Sequence, residues 1–304
     1  MAIRIGYFYT LQSHITDARY IPEHFLTPLL LAQKHNLFTK RGLNVQLVPQ
    51  PSGTGQLISS YKEGKIDAAI GLTEGFVNGL ASNPNLYSLI GTYVSSPLCW
   101  AISAGAKNDA LTKATQLKDR KIGVSRIGSG SYVMSYVFAD QQGWLKPTAA
   151  PFDFIKLDTF KGLRDGVNGG TADAFMWERF TTKKYYDSGE IKEIGEIYTP
   201  WPSWVITASS TLLERKAEVT SLLEAINEGI VYFLEHYDEG IEHIHTNLDY
   251  SKEDAEAWFK TVKYPSDVKL LDEAMIDDTI KTLRKAGLMT DDATITASDM
   301  IVAC

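Results

Sequence analysis

Along the first 100 residues the spacing of apolar positions switches repeatedly between the two-residue period of a strand and the 3.6-residue period of a helix. Residues 3–8 read as a strand. A helix is expected over 23–36, with Phe25, Leu26, Leu29, Leu30 and Ala32 on one face. Pro28 belongs in its first turn, where a missing N–H costs nothing. Asn36 suits the left-handed position that closes a helix. Residues 42–48 give a turn and an alternating strand, Ser52-Gly53-Thr54-Gly55 a second turn, and Leu57, Ile58 and Tyr61 mark a short helix. Residues 67–71 form a short buried strand with Thr73 and Glu74 at its carboxyl end. A helix over 75–82 and a strand over 86–94 follow.

The pattern then restarts. Strands are predicted over 121–124, 152–157, 173–177 and 191–198, with helices over 131–142, 160–168 and 178–187 between them. From about residue 210 the chain is mostly amphipathic helix, over 211–236, 237–247, 251–262 and 270–286. Alternating strands and helices with short connections imply α/β sheets covered by helices. One internal echo supports two similar lobes: Gly64-x-x-Asp67-Ala68 precedes a strand and Glu74, and Gly170-x-x-Asp173-Ala174 precedes a strand and Glu178. Each places a carboxylate near the carboxyl end of a strand, where open α/β sheets bind ligands.

Composition narrows the function classes. With 44% hydrophobic residues over 304, the chain can bury a large core, which argues against disorder. Lys and Arg total 30 against 37 Asp and Glu, and no basic cluster occurs, so nucleic acid is excluded as an expected partner. No apolar run reaches the ~20 residues of a membrane span, so no membrane insertion is expected. Met1-Ala2 leads straight into the first strand without a charged and apolar leader. Cys99 and Cys304 are the only cysteines, poorly placed for a useful bridge. Both features point to a cytoplasmic protein; a removed leader would make it periplasmic or extracellular instead.

Ala32-x-x-x-Asn36-Leu37-Phe38-x-x-x-Gly42-Leu43-x-Val45 resembles a signature of type II periplasmic-binding-protein-like folds. The branch it is similar to contains the solute-binding proteins of nitrate, sulfonate and taurine importers. The resemblance continues in Gly64-x-x-Asp67-Ala68, in Leu117-Lys118-Asp119-Arg120-Lys121-Ile122-Gly123-Val124 and in the Ser/Gly-rich turn that follows, covering roughly 28–178. It implies two α/β lobes with a ligand cleft between them and two crossing segments, near Ser95-Ser96-Pro97 and Thr199-Pro200-Trp201. Lobe one would then hold 1–95 and 205–304, and lobe two 96–204. The same branch contains fungal enzymes that make the thiamine pyrimidine precursor. Those enzymes carry a Lys for a pyridoxal phosphate Schiff base, a His beyond it and a Cys-rich iron motif. Gly71 and Gly75 align with the Lys and His here, and two cysteines cannot reproduce the iron motif. Glycine supplies no amine for a Schiff base. The expectation is therefore a protein that is no enzyme and needs no cofactor.

Candidate site residues follow from chemistry at strand ends. Gly128-Ser129-Gly130-Ser131 joins a strand to a helix: glycine lets backbone approach a ligand, serines donate hydrogen bonds, and a helix start favours anions. The ordinary alternative is a Ser-capped loop. Arg126 adds a charge beside it, and Thr54 with Gly55 repeats the logic in lobe one. Neither turn is a dinucleotide fingerprint, since Ile58 and Val133 stand where the third glycine belongs. Glu74 and Glu178 are placed to receive a ligand amine or amidine, with Thr73 a further ligand-binding candidate beside Glu74; the alternative for each glutamate is a solvated helix start. Trp177, Trp201 and Trp204 offer faces for a flat ligand, against the alternative of core packing. Tyr9 and Gln12 lie just beyond the first strand. His243-x-His245 does not share a helix face, so no metal site is expected.

The expected function is binding of a small polar organic molecule with hinge closure. A thiamine pyrimidine precursor, a related heterocycle or an anion such as a sulfonate suits these groups. The alternatives are a thiamine-precursor-branch enzyme with altered catalytic residues and an importer's solute-binding component. A monomer is expected, with a membrane transporter as partner only if the protein is exported.

Overall fold

A computed structural model of the chain describes residues 3–14, 17–50, 53–146, 149–289 and 294–304, with 4–14, 17–22 and 49–50 described by backbone pairing alone. Two compact units emerge. The first comprises Met1–Ser96, Trp201–Ile280 and Ala293–Cys304, and the second Pro97–Pro200 and Lys281–Asp292.

The first unit begins with β1 (Ile3–His14), β2 (Asp17–Pro22), α1 (Thr27–Lys34), α2 (Leu37–Lys40), β3 (Val45–Gln50), α3 (Thr54–Lys62), β4 (Ala68–Leu72), α4 (Thr73–Ser82) and β5 (Tyr87–Val94). The second unit supplies β6 (Cys99–Gly105), β7 (Lys121–Val124), α5 (Gly130–Gln141), β8 (Asp153–Lys156), α6 (Phe160–Asn168), β9 (Ala174–Glu178), α7 (Arg179–Asp187) and β10 (Ile191–Tyr198). The chain returns to the first unit with β11 (Trp204–Ser209), α8 (Ser210–Leu213), α9 (Lys216–Glu235), α10 (Tyr237–Asn247) and α11 (Lys252–Phe259). The helix α12 (Glu273–Lys285) starts in the first unit and ends in the second, and α13 (Ala297–Met300) belongs to the first.

Each unit is built on its own mixed sheet. In the first, the order is β2-β1-β4-β11-β5, with β3 also on β1. β1 runs parallel to β3 and β4, and β11 runs antiparallel to β4 and β5. In the second, the order is β10-β6-β9-β7-β8, with β7 parallel to β8 and β9. β1 is longer than the expected strand. Its first half, 3–8, makes the parallel ladder, while Tyr9–His14 pairs antiparallel with β2. No Asn-Gly or Asp-Gly dipeptide announces that hairpin in the sequence.

The helix expected over 23–36 is shorter. A 3-10 turn at His24–Leu26 precedes α1, Pro28 sits in the first turn of α1, and Asn36 takes a left-handed φ of 57°. The helix expected over 211–236 breaks at Glu214-Arg215, where Arg215 leaves helical geometry (φ −96°, ψ 58°). Phe76, Tyr87, Tyr93, Trp204, Phe233 and Trp258 are all buried in the first unit. Phe160, Leu163, Val167, Phe175 and Tyr185 form a core cluster in the second. Among the described residues no helix is long and apolar enough to cross a membrane.

Candidate functional site

In the first unit, two helix starts meet at the carboxyl ends of parallel strands. Three residues separate β3 from α3, and β4 passes into α4 without a loop. Ser52, in the turn before α3, lies outside the described residues. The helices touch at their first turns: a Cβ placed on Gly75 would lie 2.7 Å from Thr54 Cγ2 and 3.2 Å from Thr54 Oγ1. The segment 201–203 seats on the start of α4. Thr73 donates its amide to Ser203 O (3.1 Å) and its hydroxyl to Pro202 O (2.5 Å). Trp201 Nε1 donates to Glu74 Oε2 at 2.9 Å.

Glu74 is wholly buried, and its other oxygen, Oε1, has no hydrogen-bond partner among the described residues. The same holds for Thr54 Oγ1, in a side chain that is 5% exposed. Burial pushes the Glu74 carboxyl up to about 7, against the opposing pull of its own amide and the Trp201 indole. Glu74 does not cap its helix; Leu72 occupies that position and offers no side-chain bond. Gly55 is half-buried behind Thr54 in α3.

The second unit holds the other group. Gly128 adopts φ +79°, a left-handed conformation that turns the chain from β7 into α5. Ser129 caps α5, its Oγ accepting from Tyr132 N at 3.4 Å and lying 3.0 Å from Ser131 Oγ. Both serines are buried, Gly130 is half-buried as the first helical residue, and Arg126 is half-buried three residues before the cap. Burial lowers the Arg126 pKa.

Five candidates have structural work of their own. Glu178 caps α7, with Oε2 accepting from Thr181 N (2.7 Å) and Thr181 Oγ1 (2.8 Å). Burial pushes this carboxyl up to about 7, while bonds from Thr181 and Phe180 act the other way. Trp177 is half-buried and stacks on Phe160 with ring centroids 4.8 Å apart. Trp204 is buried in β11, its ring 5.5 Å from Phe25. Tyr9 and Gln12 pair with Pro22 and Arg19 in the β1–β2 ladder; their side chains lie outside the described residues. The pairing of Trp201 with Glu74 and the bonds from Thr73 to Pro202 and Ser203 were not legible in the sequence. They join residues more than 120 positions apart, and no local pattern announces them.

Gly71 and Gly75 carry a second message. A Cβ on Gly71 would lie 2.9 Å from Phe76 Cε2 and 3.0 Å from Leu57 Cδ1, and one on Gly75 would crowd Thr54. A longer side chain at either position requires its neighbours to move.

Two α/β units with helix starts at strand ends have the architecture of the periplasmic-binding-protein fold, and the comparisons agree. The alkanesulfonate-binding protein SsuA from Xanthomonas axonopodis pv. citri bound to MOPS is similar over 99% of this chain and 98% of its own, at 15% identity and a TM-score of 0.77. The periplasmic nitrate-binding protein NrtA from Synechocystis PCC 6803 is similar over 96% of this chain and 83% of its own, at 12% identity and a TM-score of 0.67. The Candida albicans CA3427 gene product is 42% identical over 100% of this chain and 96% of its own, with a TM-score of 0.87. That structure is described as defining a new family with the generic periplasmic binding protein fold. A family model described as Ca3427-like PBP also matches residues 100–197. The chain belongs to the Ca3427-like family. Comparison with curated proteins returns no match.

Proposed function

We propose that this protein binds a small polar organic molecule and releases it unchanged. The observation that carries the reading is the pair of buried polar atoms, Thr54 Oγ1 and Glu74 Oε1, at two touching helix starts. A buried polar atom without a partner costs about 1–3 kcal/mol, a penalty that a ligand removes. The start of α5, with Ser129, Gly130, Ser131 and Arg126, suits an anionic or carbonyl group. Sulfonate and nitrate, named for SsuA and NrtA, are of that kind. A heterocycle such as a thiamine pyrimidine precursor suits the carboxyl side better. The rings of Trp177 and Trp204 already stack on Phe160 and Phe25, so polar groups rather than aromatic faces define the ligand.

Binding without chemistry is supported by Gly71 and Gly75, where the synthase branch has its Lys and His and where a Cβ in this chain would crowd Phe76, Leu57 and Thr54. Closure of the units on the ligand is the further part of the proposal; it rests on the family resemblance and on the general rule that a ligand favours the state it binds better. Native mass spectrometry of the purified protein tests the reading. A retained small molecule, or a raised melting temperature with members of a sulfonate and heterocyclic-amine panel, supports it. Absence of both, or turnover of a bound compound, overturns it.

A further inference from the structure

We infer that the ligand carries a nitrogen donor group, an amine or amidine, that is received in the first unit by Glu74 Oε1 and Thr54 Oγ1. The inference rests on the binding reading above and specifies its ligand class. Its ground is an imbalance of donors and acceptors. Trp201 Nε1 occupies one oxygen of Glu74 at 2.9 Å and leaves Oε1 as a buried acceptor without a donor among the described residues. Above about pH 7, where Glu74 is ionised, its carboxylate can only accept, and a threonine hydroxyl can accept as well as donate. The group that completes such a site is a donor, and a cationic one forms the stronger bond.

Three details make this a built site rather than a chance orphan. Glu74 is 0% exposed, so solvent does not serve the free oxygen. The absence of a side chain at Gly75 lets Thr54 pack onto the first turn of α4, which brings the second orphan to the same pair of helix starts. The 201–203 segment is held by Thr73 through two hydrogen bonds, so Trp201 is kept where it orients the carboxyl. A purely anionic ligand here would face a carboxylate and supply no donor. Burial, which makes Glu74 reluctant to ionise, also raises the benefit of an incoming cation.

Benzamidine and benzoate provide the test, because they share shape and differ in the sign of charge and in the presence of N–H groups; benzyl alcohol adds a neutral donor. Binding is measured by calorimetry at pH 8 on wild type, Glu74→Gln and Thr54→Val. Both substitutions keep the shape of the side chain, and circular dichroism verifies the fold of each. Benzamidine is expected to bind wild type at least about 10-fold tighter than benzoate or benzyl alcohol. Glu74→Gln is expected to weaken it about 10–100-fold and Thr54→Val about 2–10-fold. Equal binding of benzoate or benzyl alcohol, unchanged benzamidine affinity in both variants, or no benzamidine binding at millimolar concentration overturns the inference. If a molecule without N–H groups is retained by wild type and by Glu74→Gln alike, the inference fails and the binding function stands. If nothing is retained and no compound binds, both fail.

Discussion

A carboxyl group removed from water keeps its proton to higher pH, and Glu74 and Glu178 are both pushed from an ordinary 4.5 up to about 7. The folded state therefore holds more protons than the unfolded state between those values. The stability each group contributes is fully present below 4.5 and is lost as pH rises through about 7, roughly 3 kcal/mol per group. His24 acts in the opposite sense, since burial lowers its pKa and folding is weakened as pH falls. The difference between wild type and Glu74→Gln isolates the first effect. Denaturant unfolding is expected to show the variant more stable by up to about 3 kcal/mol at pH 8, with the gap closing toward pH 5. A gap independent of pH would contradict the burial of Glu74. At the neighbouring residue, Gly75→Ala places a methyl 2.7 Å from Thr54 Cγ2 and is expected to cost about 1–3 kcal/mol in the same measurement.

Helix starts govern the next scale. The cap of α6 is tight, with Thr159 Oγ1 accepting from Gly162 N at 2.9 Å, while the corresponding bond of Ser129 to Tyr132 N is long at 3.4 Å. Thr159→Ala is therefore expected to lower stability by about 1 kcal/mol, and Ser129→Ala by less. The contrast in ligand binding runs the other way. Gly130→Val adds a branched side chain at the first residue of α5 and blocks close approach to its backbone amides. Calorimetry with whatever small molecule is retained by the wild type should show weaker binding in Gly130→Val and unchanged binding in Thr159→Ala. Equal affinities would remove α5 from the site.

For the molecule as a whole, the end of α12 decides how the chain is partitioned. Leu283 is fully buried, and Lys285 Nζ lies 2.5 Å from Asp140 Oδ1 of α5, so this stretch groups with the second unit. Leu283→Ala should cost about 2–5 kcal/mol. Hydrogen exchange is expected to show the lost protection in the second unit's amides rather than those of the first. A second prediction concerns chemistry. No stoichiometric borohydride-trapped adduct with pyridoxal phosphate should form, because Gly71 and Gly75 offer no amine. Mass spectrometry after reduction checks this, and a single modified lysine would contradict it.

Local physics alone determined much of this protein. The strands at 121–124 and 191–198 and the helix at 160–168 lie where apolar spacing puts them, because burying one face requires that spacing. Asn36 takes its left-handed turn between α1 and α2 because Asn tolerates that conformation better than most residues, and the paired Gly-x-x-Asp echoes do lead into β4 and β9. Burial of distant neighbours decided the rest. Trp177, Trp201 and Trp204 look alike in sequence, yet one stacks on Phe160, one bonds Glu74 and one packs on Phe25. Glu74 and Glu178 occupy matching places in the echo, but Glu178 turns back to cap its own helix while Glu74 meets an indole 127 residues away. Which oxygen keeps a partner depends on what the returning chain brings to it. Spacing along a sequence carries no record of that, because such contacts are made only when both segments are folded.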